Sequence, residues 1–341
     1  MNLLNMKRSG YVLTFFSFIL FLILSISWHC SGTPRQVINP YTHINWQTVE
    51  KHKAALHSHT SAGEAEQEPS VVIDMYRERG YSVVALTDHD TNGPVETTWP
   101  WTDFGRDPEA LGMVAIQGNE ISKVHHIGSH FNDYGNPDAE SEDTVLTSIG
   151  KHGGLAIFHH PGRYQKGVDW YLDKYRTYNH LLGQEVINRK NRYPQDRSNW
   201  DSLLTVLMPD RPVWGFASDD MHKPGADMGY SWVVFLMPEL NKEEVRKAMR
   251  NGSSFFVYSP EGAKGPAVPE ITSISVDDQD QTIMITTTGH DSLRWIANGQ
   301  LVQRGNTAML RDLPVSATYI RAEVFRSGNV IFTQPFGLKK L

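Results

Sequence analysis

Apolar and polar positions fall in short blocks along this chain, and their spacing predicts alternating elements. Pro69 to Gly80 reads as a helix: Pro at its start, apolar Val72, Ile73 and Tyr76 on one face, and Gly80 as its stop. The continuous apolar run Tyr81 to Thr87 is of buried-strand type and ends in Asp88-His89-Asp90. The same rhythm recurs downstream. Met113–Ile116, Leu155–Phe158, Gln184–Asn188, Val213–Ala217 and Trp232–Met237 read as strands; Ser141–Lys151, Asp169–Tyr178, Asp196–Met208 and Pro238–Asn251 read as helices. Alternation over about 200 residues predicts a parallel α/β architecture. Polar clusters stand where the strands end, which is where α/β barrels carry their active sites.

Beyond Gly262-Ala263-Lys264-Gly265-Pro266 the texture changes to short β-type runs: Ile271–Val276, Thr282–Thr287, Leu293–Ala297, Tyr319–Phe325 and Val330–Phe336. Turn signals such as Asn298-Gly299 separate them, so residues 266–341 are expected to form a small antiparallel β-sandwich without chemistry of its own. The expected organisation is residues 1–30 as a targeting segment, 31–50 as a linker and lead-in, 51–262 as the α/β domain, and 266–341 as the sandwich. No internal repeat of 20–50 residues is evident.

The N-terminal block follows neither periodicity. Lys7 and Arg8 precede an uncharged run from Gly10 to Trp28, which reads as an export signal and is nearly long enough to anchor in a bilayer. The only cysteine, Cys30, follows that run as the lipidated cysteine of a bacterial lipoprotein does, although Ser27-Trp28-His29 is a poor lipobox. Export to the periplasm or cell surface is the expectation, with residues 1–30 cleaved, retained as a membrane anchor, or lipidated at Cys30. The remainder has no thiol for an internal disulfide. At 341 residues, 40% hydrophobic, 21% charged and net charge −6, the chain has ordinary globular composition. It has no basic surplus to argue for a nucleic-acid polymer.

Fifteen histidines are many, and they cluster with carboxylates. In Ala54-Ala55-Leu56-His57-Ser58-His59-Thr60 two imidazoles lie two residues apart and share a face of an extended segment; Glu64 adds a hard oxygen donor. Thr87-Asp88-His89, Glu120, the dense patch His125-His126-Ile127-Gly128-Ser129-His130, His159-His160-Pro161 and Asp219-Asp220-Met221-His222 offer the same chemistry. Such a mixed nitrogen and oxygen set suits zinc, manganese or iron, and without metal it is costly to desolvate. Arg163 offers a planar fork for a phosphate, Lys223 is a weaker candidate, and Trp99, Trp101, Tyr164 and Trp170 either line a pocket or pack as core.

His57-x-His59, Glu64, Thr87-Asp88-His89, Glu120, His126, His160-Pro161 and Asp220-x-His222 resemble the ordered motifs of the PHP (polymerase and histidinol phosphatase) family over residues 52–258. The resemblance implies a distorted (β/α)7 TIM-like barrel holding two or three divalent metal ions, often zinc, manganese or iron. It implies His57, His59, Glu64, His89, Glu120, His126, His160, Asp220 and His222 as metal ligands. His57, His59, Glu120, Asp220 and Arg163 are then the catalytic candidates, with Glu120 bridging two ions. His125 and His130 compete with His126 for one ligand position. His159 competes with His160, which the His-Pro pattern favours, and Asp219 with Asp220, which the Asp-x-His spacing favours.

The expected function is hydrolysis of a small-molecule phosphate ester by metal-activated water. Two alternatives stand beside it. One is an amidohydrolase-type hydrolase, for which no lysine stands at a comparable strand end. The other is a cell-surface protein whose metal site binds a ligand without turnover.

Overall fold

The computed structural model describes residues 34–91, 97–164 and 166–341. The export segment and Cys30 lie outside the described residues. Residues 32–341 form one compact unit.

After β1 (Arg35–Ile38) come β2 (Glu50–Ala55), α1 (Pro69–Glu78), β3 (Tyr81–Ala85), the short α2 (Pro108–Leu111) and β4 (Val114–Ile116). Next are β5 (Gly118–Ile121), β6 (Ile127–His130), α3 (Glu142–Lys151), β7 (Leu155–Phe158), α4 (Val168–Thr177), β8 (Leu181–Asn188) and α5 (Asp196–Leu207). They lead to β9 (Trp214–Ser218), α6 (Pro224–Asp227), β10 (Ser231–Met237), α7 (Lys242–Asn251) and β11 (Ser254–Tyr258). The remaining strands are β12 (Glu270–Asp277), β13 (Thr282–Thr288), β14 (Ser292–Ala297), β15 (Gln300–Arg304), β16 (Thr307–Met309), β17 (Tyr319–Arg326), β18 (Asn329–Thr333) and β19 (Phe336–Lys340).

Local chemistry sets the helix limits. In α7, Val245, Ala248 and Met249 form the buried stripe, Asn241 caps the first turn by accepting from the Glu244 amide, and left-handed Gly252 ends it. It therefore begins at Lys242 rather than at Pro238. Ser141 caps α3 in the same way through the Thr144 amide, with Glu142 and Asp143 in the first turn.

The hydrogen bonds among the described residues close no barrel, so the expected distorted (β/α)7 TIM-like barrel is not seen as such. β2, β3 and β4 are parallel, but β10 and β11 continue that sheet antiparallel. β6 runs antiparallel to both its neighbours, β5 and β7, and β7, β8 and β9 are parallel, in a separate five-stranded sheet. Among the described residues, two isolated parallel bridges join the two sheets: Ser58 with Met221, both just past their strands, and His89, after β3, with Glu120 in β5. The result is a mixed α/β fold of several sheets.

The C-terminal strands also differ from the expected self-contained sandwich. β18 pairs with β11, so β14, β15, β17, β18 and β19 extend the sheet that contains β2 and β3. Only β12, β13 and β16 form a sheet apart. Its Ile271, Ile283 and Ile285 share one buried cluster with Trp295 of β14 and Ala55 of β2.

Candidate metal centre

The His57 to His59 segment leaves β2 in an extended conformation, so successive side chains alternate between its two faces. Ser58, fully buried, turns to the opposite face, its hydroxyl donating to the Ala85 carbonyl (2.8 Å), while the His59 amide donates to the Met221 carbonyl (2.9 Å). His57 and His59 therefore turn the same way, with their Nε2 atoms 3.0 Å apart. Asp88, after β3, accepts from the Thr60 amide and hydroxyl and from the Thr98 hydroxyl, which fixes the loop that presents Glu64. Glu120 stands on β5, His126 just before β6, His159 and His160 after β7, and Asp220 and His222 after β9. Strand ends from both sheets thus converge on Glu120.

Glu120 is fully buried and surrounded by imidazoles. Its Oε1 lies 2.9 Å from His126 Nδ1, 2.9 Å from His159 Nδ1 and 3.2 Å from His160 Nε2. Its Oε2 lies 3.0 Å from His89 Nδ1, 3.3 Å from His57 Nε2 and 3.5 Å from His59 Nε2. Asp220 Oδ1 lies 3.2 Å from His59 Nε2 and 3.4 Å from His57 Nε2. Glu64 Oε1 is 3.1 Å from His89 Nε2 and 3.0 Å from His222 Nε2.

Two features show that this set fits divalent metal. Ligands about 2.1 Å from one ion stand about 3.0 Å apart on an octahedral edge and about 3.4 Å apart on a tetrahedral one. The donor separations around Glu120 and Asp220, 2.9 to 3.5 Å, span that range. Moreover, His89 Nδ1, His126 Nδ1 and Glu120 Oε2 are buried and close to one another or to a partner, yet form no hydrogen bond. An ion held among them would give all three a partner. Five overlapping triads satisfy the proximity a metal demands, among them His57-His59-Glu120 and His89-Glu120-His126.

The electrostatics are those of buried carboxylates and imidazoles that compensate one another. Burial alone disfavours every charge, but the surrounding imidazoles hold Glu120 and Asp220 well below the usual carboxylate range. His59, His89 and His159 are pushed down, chiefly by burial. His57 is the exception: against its burial, Glu120, Asp220 and Glu185 hold it well above its ordinary value.

All nine candidate ligands stand in this constellation. Arg163 reaches its rim, where a cavity of about 100 Å³ is lined by Glu64, Glu120, Asp220, Arg163, Arg189 and Arg192 among others. Lys223 is exposed and lies 3.4 Å from Glu66. The competing residues have other duties. His130 Nε2 donates to the Leu56 carbonyl (2.9 Å), and His125 packs between Tyr164 and Trp170. Asp219, pushed up to about 6 by burial, accepts from the amides of Gly229, Tyr230 and Ser231. Trp101 is core, whereas Tyr164 stacks beside His160 at the rim.

Sequence reasoning missed Glu185 and Arg189, and it placed His159 behind His160. His159 stacks on His57 at 3.7 Å and binds Glu120 through Nδ1. Glu185, fully buried in β8, accepts from His57 Nδ1 (2.7 Å), the Ser218 hydroxyl, the His160 amide and Asn188. Arg189 donates to Asp220 Oδ2 (3.1 Å) and to His222 Nδ1 (2.8 Å).

No family model matches the chain. An uncharacterized protein of Methanocaldococcus jannaschii is 31% identical over 123 residues, a match covering 32% of this chain and 67% of that protein. Among solved structures, a two-domain protein from Bacteroides vulgatus containing a predicted PHP-like metal-dependent phosphoesterase is similar over 91% of both chains, with a TM-score of 0.52 and 16% identity. An amidohydrolase from Chromobacterium violaceum, solved with bound sulfate and no metal, is similar over 57% of this chain, with a TM-score of 0.41 and 17% identity. By sequence the chain belongs to one family with the archaeal protein, and its fold is similar to that of the Bacteroides two-domain protein.

Proposed function

We propose that the chain is a metal-dependent hydrolase of phosphate esters on small molecules, working with two or three ions of zinc, manganese or iron. The observation that carries this is the Glu120 constellation, whose buried nitrogen and oxygen atoms stand at ligand-edge separations, several of them without a hydrogen bond. The likeness in fold to a protein containing a predicted PHP-like phosphoesterase supports the same reading. His57, His59, Asp220 and Glu120 would hold one ion; His89, His126, His160 and Glu120 a second; Glu64 and His222 complete the set with His89. Bound there, such ions lower the pKa of water toward neutrality and offset charge on phosphoryl oxygens.

The chain supplies the rest. Arg163 and Arg192 face the cavity with no carboxylate partner among the described residues, each over a tyrosine ring, Tyr164 at 5.7 Å and Tyr193 at 5.1 Å. Two such guanidiniums bind and orient a phosphoryl group through bidentate hydrogen bonds. This favours a phosphate ester over the amide-type substrate of an amidohydrolase. Arg189 is already engaged with Asp220 and Asp227, so it positions ligands instead. A cavity of about 100 Å³ admits a phosphoryl group and leaves the alcohol portion at the rim. Export, with anchorage through residues 1–30 or Cys30, belongs to the proposal and rests on the N-terminal sequence alone.

The test is metal content and aryl phosphate hydrolysis on residues 34–341, with His59→Ala alongside. Two or three ions per chain and chelator-sensitive hydrolysis, both reduced in the variant, are expected. Bound metal without hydrolysis of any phosphate ester would move the assignment to a binding role. Absence of metal after reconstitution would overturn it.

A further inference from the structure

The C-terminal strands share an apolar cluster with α5, in which Trp200 and Leu204 join Tyr319 and Phe332, and they also grip the helix through charge. Along one face of that helix, positions about four apart meet β17, β18 and the residue that leads into β17. The Arg197 guanidinium lies 5.1 Å from the Phe332 ring. Asp201 accepts from Tyr319 Oη (2.7 Å) and, on both oxygens, from the Arg321 fork at 2.8 Å. The Thr318 hydroxyl donates to the Thr205 carbonyl (3.0 Å). Arg321 is 1% exposed, lies 5.2 Å from the Trp200 ring and also donates to Glu323, which is itself held by Arg294.

The N-terminal end of α5 lies against the site. Gln195 donates to the Gly162 carbonyl (3.3 Å), and Asp196 packs so closely that a Cβ on Gly162 would fall 2.7 Å from its Oδ1. Gly162 belongs to the Pro161–Arg163 turn that follows His160. The loop entering α5 carries Arg192 and Tyr193 and is closed by the Asp196 amide donating to the Tyr193 carbonyl (3.0 Å).

We propose that Arg321 is a positioning residue for the catalytic rim: its bidentate grip on Asp201 sets the register of α5, and α5 in turn sets the Pro161–Arg163 turn and the Arg192 loop. A buried ion pair is weak evidence for stability but fixes geometry well, because a planar fork accepts only one alignment of its carboxylate. An apolar stripe would tolerate a small slide or roll of the helix. The C-terminal segment is thereby part of the working site, although none of its residues lines the cavity. That Arg163 and Arg192 bind phosphate rests on the function proposed above; the mechanical link does not.

Arg321→Lys keeps the charge and removes the fork, and Asp201→Asn keeps the shape and removes the charge. Amide exchange is read on the full chain at residues 160–164 and 189–195, with the β12–β13–β16 sheet as internal reference. Alongside it are read metal content and KM and kcat for an aryl phosphate. Exchange about tenfold faster in the two rim segments of both variants is expected, with the reference sheet and metal content unchanged and KM raised about three- to tenfold at nearly constant kcat. Unchanged rim exchange, or equal loosening of the reference sheet, would overturn the positioning role. If the protein hydrolyses no aryl phosphate, the exchange pattern still decides the mechanical link, so the two failures are distinguishable.

Discussion

Glu185 illustrates how a residue outside the ligand set governs it. A carboxylate has about four acceptor positions, and here four donors fill them: His57 Nδ1–H, the Ser218 hydroxyl, the His160 amide and Asn188. Accepting from Nδ1–H fixes the orientation of the His57 ring and turns Nε2 toward His59, Glu120 and Asp220, where a metal would displace its proton. Although burial opposes it, the neighbouring imidazoles hold this carboxyl at about 2. Glu185→Gln should weaken metal binding about 10- to 100-fold in a competition titration; an unchanged affinity would mean that the His57 ring orientation is set elsewhere. Asp196 behaves oppositely. Burial, partly offset by the Gly162 amide, pushes it up to about 8, whereas the unfolded carboxyl titrates near about 4. Stability from the neutral acid is therefore complete below about pH 4 and is lost as pH rises through about 8. Asp196→Asn removes that loss. Between pH 5 and pH 8 the melting temperature of the variant should gain on the native protein by about 2 °C or more; parallel curves would show an ionised Asp196.

At the scale of elements, close backbone approach makes Gly183 irreplaceable. A Cβ there would stand 1.8 Å from the Trp214 carbonyl, in the parallel ladder between β8, which carries Glu185, and β9, which leads to Asp220. Gly183→Ala should cost about 3 kcal/mol in urea denaturation, at the upper end of ordinary overpacking. Gly225→Ala, which meets nothing within 4 Å, should stay within about 0.5 kcal/mol. Equal costs would refute the steric reading.

Such contacts also explain what the sequence could and could not reveal. Apolar runs located β3, β7, β9 and β10 because each is buried almost throughout. The hairpin of β5 and β6 escaped because Gly118-Asn119-Glu120 and Gly128-Ser129-His130 are polar, although every position of both strands is buried. Strand direction was not legible, since periodicity is the same in parallel and antiparallel ladders. With no helix between β4, β5 and β6, and only four residues of α6 before β10, the chain reverses where alternation predicted a crossover. The resemblance to the ordered PHP motifs named nine candidate ligands, and the structure brings these nine side chains together. His159 was discounted because His160 fits the His-Pro pattern. Glu185 left one unread signal, an acidic residue inside an otherwise buried strand, where a charge is costly unless hydrogen-bonded.

Across the whole molecule, the centre is also a seam. The sheet containing β2 and β3 and the sheet of β5 to β9 meet at the strand ends, where two isolated bridges link their backbones. The donors divide between them: His57, His59 and His89 follow strands of the first sheet, whereas Glu120, His126, His160 and Asp220 lie on or beside strands of the second. Ions bound by both groups tie the sheets together, so the metal should stabilise the fold as well as serve chemistry. A ligand at a thousand times its dissociation constant adds about 4 kcal/mol for one site. For a chain of this size, that corresponds to a melting temperature lower by about 8 °C after chelation. The loss should be local. Amide exchange should accelerate at residues 57–60, 87–90 and 218–222, along the seam, while β12, β13 and β16 keep their protection. A melting temperature unmoved by verified metal removal would show instead that packing of the two apolar clusters alone holds the sheets in register.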